Sequence, residues 1–311
     1  MLSKKRSILI NTENFNKKNF YKIDFLKKKK KFNLIFNNSK KKISKKYLKK
    51  FSNKNVVGII ADLEMYDKET LNFFKELKVI SRFGIGINNL DLNELKKNKI
   101  DYEITRGSTP YVTAEYTLTL VLNLLRKVNK HDLNLKNKKW QPEIGNSLYG
   151  KTLGILGYGK VGRIASKIFK KLGCKVLIHD KLNIKNKITI KDLFKKCDII
   201  SIHLNLTEKT KNIVNQSLLK LMKKNAILVN TSRGEIIDEN DLYKFLKKEK
   251  LSGAALDCFS NEPYFGKLRN LNNVILSPHV ASNTIECRTQ MEIESSKNLY
   301  KLLKKKKLID E

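Results

Sequence analysis

The sequence is poor in residues that staple, break or bend a chain. Its four cysteines, Cys174, Cys197, Cys258 and Cys287, form no C-x-x-C pair. That excludes a disulfide framework and a dithiol motif, and leaves small hydrophobes suited to burial in a reducing compartment. Four prolines and fourteen glycines among 311 residues exclude long linkers. The apolar run Ser7–Ile10 is too short for a secretory signal, and the most apolar helical stretch, Thr117–Leu125, falls short of the roughly 20 residues that a membrane span needs. A cytoplasmic protein without membrane partners is expected. Acidic residues are also scarce, 30 against 65 basic ones, for a formal net charge of +35. Such a charge invites a nucleic-acid reading. However, all but eight of the basic residues are lysine, and specific phosphate and base recognition favours the arginine fork. The lysines run the whole length of the chain among many Asn and Ile residues, as AT-rich codons would produce. The charge therefore reads as a solvated surface that draws in acidic substrates, not as a nucleic-acid face.

Hydrophobic residues make up 41% of the chain, enough for a globular fold, and the length suits two domains with separate cores. Short apolar runs alternate with amphipathic stretches throughout, the rhythm of α/β units around parallel sheets. The first set of strand candidates is Ser7–Ile10, Phe32–Phe36, Val56–Ala61, Val79–Phe83 and Ile100–Thr105. The second is Leu153–Leu156, Val176–His179, Ile199–His203, Ile227–Asn230, Ala254–Asp257 and Val274–Leu276. Helices are expected over Lys160–Leu172, Gln216–Lys224 and Thr284–Leu303. A long helix should start at Pro110 behind a Thr109 cap and carry its apolar stripe through Leu118, Val121, Leu122, Leu125 and Val128. The lysine clusters Lys27–Lys31, Lys40–Lys50 and Lys304–Lys307 read as exposed faces or loops. The fold class is α/β, with two doubly wound, Rossmann-like domains.

After the strand Leu153–Leu156 comes Gly157-Tyr158-Gly159-Lys160-Val161-Gly162, a complete G-x-G-x-x-G followed by a helical pattern. Gly157 makes the tight turn, Gly159 lets a pyrophosphate approach the backbone, and Gly162 lets the helix pack on the strand. Asp180 ends the next strand, where a carboxylate holds the ribose hydroxyls and repels a 2′-phosphate. The expected cofactor is thus NAD and not NADP. Ligands of open α/β sheets lie beyond the carboxyl ends of the strands, and those ends carry His203, Arg233, Asp257 and His279, with Glu262 just beyond. Thr231, Asp257 and His203 join the expected cofactor contacts. Arg233 suits the adjacent carboxylate and carbonyl of a 2-oxo acid, His279 can move the proton, and Glu262 can orient the imidazole. No metal site is expected.

These residues sit in segments that resemble the D-isomer-specific 2-hydroxyacid dehydrogenase family. The likeness runs from about Val56 to Ala281. It includes Val79-Ile80-Ser81-Arg82-Phe83-Gly84-Ile85-Gly86, the glycine fingerprint, Val229-Asn230-Thr231-Ser232-Arg233-Gly234, Asn261-Glu262-Pro263 and Ser277-Pro278-His279-Val280-Ala281. The resemblance implies Arg233, Glu262 and His279 as the catalytic set, and a substrate-carboxylate loop at Ile85-Gly86 beside Arg82. It also implies a homodimer made through the cofactor domain. The substrate domain, 1–105 with 283–311, would be split by an inserted NAD-binding domain, 106–282. Within the family, Gly58–Gly86 most resembles phosphoglycerate dehydrogenases. The chain departs from them after the glycine loop, where those enzymes usually carry Asp and this chain has Asn88 or Asn89, at Asn205, where they usually carry proline, and at Thr105-Arg106-Gly107-Ser108-Thr109. Arg106 is a candidate reader of a second anionic group. The expected substrates are thus a small 2-hydroxy or 2-oxo acid, either 3-phosphoglycerate/phosphohydroxypyruvate or hydroxypyruvate/glyoxylate. The rival readings are an NAD-binding sensor without turnover and, less in keeping with Glu262, a formate-type dehydrogenase, whose family branch carries Gln there.

Overall fold

Eleven short strands among the described residues build two parallel sheets, each inside its own compact unit. The structure, a computed structural model, describes residues 5–13, 15–30, 32–37, 45–107, 109–182 and 187–309. Of the segments singled out above, Lys31, residues 40–44 and Ser108 lie outside them. One unit comprises Met1–Thr109 with Thr284–Glu311, and the other Pro110–Asn283. The first boundary falls four residues beyond the one expected at 105/106. The reason is local: the Glu294 carboxylate accepts the backbone N–H groups of Arg106 at 2.9 Å and Gly107 at 2.7 Å, tying both to the first unit.

The first unit holds β1 (Ser7–Asn11), β2 (Asn33–Phe36), β3 (Val56–Ala61), β4 (Val79–Arg82) and β5 (Asp101–Ile104), in the order β2-β1-β3-β4-β5. β1, β3 and β4 are buried along their whole length, while the edge strands β2 and β5 are part-exposed. This is why the runs of β1 and β3 are mainly apolar and not alternating, whereas β4 buries Ser81 and Arg82 behind Val79 and Ile80. The chain reverses direction across the sheet between β1 and β3, which makes their carboxyl ends a switch point. The last helix, Ile285–Lys305, lies over β3, β4 and β5. Gly58 permits the approach, since a Cβ there would come within 3.2 Å of Leu299.

The second unit holds β6 (Thr152–Leu156), β7 (Lys175–His179), β8 (Ile199–Ile202), β9 (Ile227–Asn230), β10 (Gly253–Leu256) and β11 (Val274–Leu276), in the order β11-β10-β9-β8-β6-β7. Here the switch point lies between β6 and β8, where the glycine fingerprint leaves the sheet. Cys174, Cys197, Cys258 and Cys287 are all free and buried. Two helical expectations differ from the structure. The helix from Thr109 stops at Arg126 because Lys127 takes a left-handed φ of 55°, and a new helix runs Val128–Lys136. Val128, expected on the buried stripe, is therefore exposed. The helix at Gln216 ends at Leu219, after which Leu221 and Met222 bond back three residues instead of four, a tighter winding that buries Met222 ahead of β9. No described helix is long and apolar enough to cross a membrane.

Candidate active site

Six strand ends of the second unit carry the residues in question. At the first, Gly157 takes φ +100°, and a Cβ there would sit 2.7 Å from the His203 carbonyl oxygen. A Cβ at Gly162 would come within 2.1 Å of the Gly157 carbonyl oxygen, so only glycine lets the helix Lys160–Lys171 start this close to β6. Gly159 caps that helix without a side-chain hydrogen bond, nothing lies within 4 Å of where its Cβ would project, and the first turn holds no acidic residue. Open space before unpaired helical N–H groups is what a pyrophosphate requires. Lys160 and Val161 form that first turn, and Tyr158 precedes it.

Asp180 follows β7. One carboxylate oxygen accepts the Tyr158 N–H at 2.6 Å, and the other accepts that of Leu182 at 2.8 Å. The carboxylate thus stands against the glycine turn, the place a ribose would reach. His203 follows β8, with Nε2 2.8 Å from the Ser201 hydroxyl. Burial pushes its imidazole down to about 4, which keeps the ring neutral beside the cofactor turn. Thr231, after β9, holds its hydroxyl 2.9 Å from that of Thr117.

Arg233 is set by Asn230, the fully buried last residue of β9. The Asn230 side chain donates to the Arg233 carbonyl at 2.9 Å and accepts from the Ser232 N–H and hydroxyl. The Arg233 guanidinium itself reaches back to the Ser232 carbonyl at 2.6 Å. Gly234 then packs against the backbone of Phe259 and Ser260 so closely that a Cβ would sit 1.9 Å from the Phe259 carbonyl carbon. That contact joins the Arg233 turn to the loop that supplies Glu262, whose peptide bond to Pro263 is cis.

Glu262 meets His279. The imidazole Nδ1 lies 3.0 and 3.1 Å from the two Glu262 oxygens, one of which also accepts the Phe259 N–H at 3.1 Å. Nε2 is left as the ring atom able to exchange a proton with a ligand. His279 has φ +55°, an uncommon conformation for a side chain of its size. The sequence places Asp257 among the cofactor contacts, yet the structure occupies both of its carboxylate oxygens with the loop that carries His279. One accepts from the Ser277 hydroxyl (2.6 Å) and the Val280 N–H (2.9 Å), the other from the Ala281 N–H (2.8 Å). Burial pushes the Asp257 carboxyl up, and these three donors oppose it. Asn230, Ser277 and the loop-holding role of Asp257 escape a reading of the sequence. The only signal for them is a polar residue ending an otherwise apolar strand.

A model of the NAD binding domain of D-isomer specific 2-hydroxyacid dehydrogenases matches residues 118–281. The chain is also 35% identical over 256 residues to a glyoxylate reductase of Thermococcus litoralis, an alignment covering 76% of this chain and 77% of that one. The chain belongs to the D-isomer specific 2-hydroxyacid dehydrogenases. This dehydrogenase uses NAD, which the open cradle at Gly157–Gly162 fits, and it is an enzyme, not a sensor without turnover. A D-3-phosphoglycerate dehydrogenase of Methanocaldococcus jannaschii is 33% identical over 249 residues, covering 76% of this chain and 48% of that protein. Among solved structures, the TT0316 protein of Thermus thermophilus is similar with a TM-score of 0.86 at 29% identity, covering 96% of this chain and 97% of that one.

In the first unit, Ile85 and Gly86 of this dehydrogenase follow β4 in a short turn with Ile85 exposed. Arg82, expected beside the substrate, is 4% exposed and bonds within its own loop. The Arg106 side chain is exposed, although its backbone is held by Glu294.

Proposed function

We propose that the enzyme interconverts a small, unphosphorylated 2-oxo acid and its 2-hydroxy acid, in the class of glyoxylate and hydroxypyruvate. The observation that carries this reading is the Glu262–His279 pair, held on a loop clamped by Asp257 in a chain of this family. The glyoxylate reductase, matched over most of its length, supports the unphosphorylated acid. Bound NAD supplies the hydride acceptor, and NADH the donor. Arg233 binds the acid's carboxylate and carbonyl oxygens and stabilises negative charge on the latter. His279 gives the proton to that oxygen from Nε2, or removes it in the reverse direction, while Glu262 fixes the ring through Nδ1. The Ile85 and Gly86 amides take the substrate carboxylate. Asp180 and His203 contact the cofactor.

The assay is NADH oxidation with glyoxylate, hydroxypyruvate, pyruvate and phosphohydroxypyruvate, with Arg233→Ala as control. Turnover fastest on an unphosphorylated acid and lost in the control is expected. A second reading, a phosphorylated acid, is favoured by the exposed Arg106. It requires Arg106→Ala to raise KM for phosphohydroxypyruvate far more than for hydroxypyruvate, and equal effects would sink it.

We also propose a homodimer formed through the second unit. Its support is a run of uncovered apolar side chains that includes Trp140, 85% exposed, and Ile144, 94% exposed.

A further inference from the structure

Arg82 ends β4 as a buried guanidinium, at the same sheet edge as the β1/β3 switch point. Its Nε donates to the Gly86 carbonyl at 2.8 Å and to the Asn89 side-chain oxygen at 3.2 Å, and an Nη donates to the Phe83 carbonyl. Nη1 lies 4.0 Å from the Asp62 carboxylate. Asn89, itself 8% exposed, donates to the carbonyls of Asp62 at 2.7 Å and Glu64 at 2.8 Å. The Glu64 carboxylate accepts from Asn11, the last residue of β1, at 3.0 Å. The guanidinium fills the inside of the glycine turn. Gly84 has φ +134°, and a Cβ there would come 3.0 Å from Nη1 of Arg82. The backbone N–H groups of Ile85 and Gly86 have no acceptor among the described residues.

A turn with glycine at two of three positions has no preferred shape of its own. Two adjacent N–H groups bind an anion well only if they are held in place before it arrives. Arginine can do this from beneath, because its planar fork reaches several acceptors at once where an ammonium reaches as a point charge.

We propose that Arg82 and Asn89, backed by Asp62 and Glu64, are positioning residues that fix the Gly84–Gly86 turn so that the Ile85 and Gly86 N–H groups face the substrate carboxylate. The inference rests on the carboxylate-loop reading given above.

The network also has a titratable part. Burial, with the Asp62 carboxylate beside it, pushes Glu64 up to about 8, and burial pushes Asp62 up against the opposing charge of Arg82. The other charged or titratable groups facing this pair are Tyr66, Glu13 and, from the last helix, Arg288. Below pH 8 Glu64 keeps its proton and leaves Arg82 to the turn. Above it a second carboxylate competes for the guanidinium.

The test measures KM and kcat for the preferred 2-oxo acid, and the NADH Kd by fluorescence, in Arg82→Lys, Asn89→Ala, Glu64→Gln and Gly84→Ala, with a melting curve for each. Losing a charge-assisted anchor is expected to raise KM about ten- to a hundredfold in Arg82→Lys and Asn89→Ala, with much smaller changes in kcat and an unchanged NADH Kd. The wild-type KM should climb above pH 8, and Glu64→Gln should abolish the climb. If Arg82→Lys fails to fold, Asn89→Ala and Glu64→Gln decide the matter. An unmoved KM in Asn89→Ala and a climb above pH 8 that survives in Glu64→Gln, with a raised KM in Gly84→Ala, overturn the positioning role and leave the carboxylate loop standing. An unmoved KM in Gly84→Ala as well removes the carboxylate-loop reading, and this inference with it.

Discussion

Asp257 is a buried carboxylate spent on holding the loop that carries His279. It is 1% exposed, and its three donors hold a loop whose key residue, His279, sits in a left-handed conformation. Asp257→Ala leaves two backbone N–H groups without their acceptor, at about 1–3 kcal/mol each where they stay dry, and frees the loop. Melting temperature and kcat should both fall, whereas the NADH Kd changes little; a variant with a lower melting temperature and full kcat would confine Asp257 to stability. Glu262 lies one step closer, on the imidazole itself. Glu262→Gln keeps an acceptor for Nδ1 but removes the charge, so kcat should drop less than in His279→Ala, where loss of the proton-transfer group costs about 10²- to 10⁴-fold. The double variant should be no slower than His279→Ala alone, because the two side chains act as one unit. His203 gives a pH prediction with a definite sign. Its folded value lies at about 4, below the ordinary 6.5, so the unfolded chain takes up the proton first as pH falls. Its contribution to stability is complete above pH 6.5 and is lost as pH falls towards 4. Thermal melts of His203→Gln should show a shallower decline than the wild type across that window.

Elements meet at the site through their turns, and Gly234 is the tightest of these meetings. With a Cβ placed 1.9 Å from the Phe259 carbonyl carbon, Gly234→Ala has to push the Glu262 loop away from the Arg233 turn. The expected result is loss of most turnover together with a lower melting temperature, read by steady-state assay and calorimetry; wild-type kcat in this variant would show that the two turns need not touch. The strands that carry these turns were legible in the sequence, because both faces of each central strand are covered and, apart from Ser201 in β8 and Asn230 at the end of β9, no polar residue interrupts their runs. The polar residues that end them were legible for the same reason: Arg233, Asp257 and His279 each interrupt or follow such a run. What those side chains face was not legible. Spacing puts Arg82 at a strand end but does not say that its guanidinium turns back under Gly84, nor that Asp257 serves the His279 loop. Those directions are set by backbone donors and acceptors that leave no mark on residue type. The break at Lys127 was hidden as well, since a lysine with φ +55° stands where glycine or asparagine is the usual signal.

Over the whole molecule, two features act beyond the reach of any one side chain. The formal charge of +35 favours encounter with an anionic acid. Raising the ionic strength from about 0.01 to 0.15 M shortens the screening length from about 30 to 8 Å, so kcat/KM for the 2-oxo acid should fall while kcat holds; a salt-independent kcat/KM would show that the lysine surface does not steer it. The second feature is the apolar run that starts at Val128. Val128, Leu133, Leu135, Trp140, Ile144 and Tyr149 are all more than half exposed, and covering their apolar surface is favourable at roughly 25 cal/mol per Å² removed from water. The stretch after Lys136 has no regular structure, yet it is not loose. Glu143 pairs with Lys127 and Lys130, which hold its carboxyl down to about 2, and the Asn146 N–H donates to the Leu125 carbonyl at 2.8 Å. A fixed apolar arm suits a self-complementary contact in which each copy covers the other's. Sedimentation velocity at micromolar concentration should show a dimer, and Trp140→Ser with Ile144→Ser should shift it to single chains that still bind NADH. Wild-type protein sedimenting as single chains would end the dimer proposal, whereas a doubly substituted protein that remains dimeric would move the contact to another face.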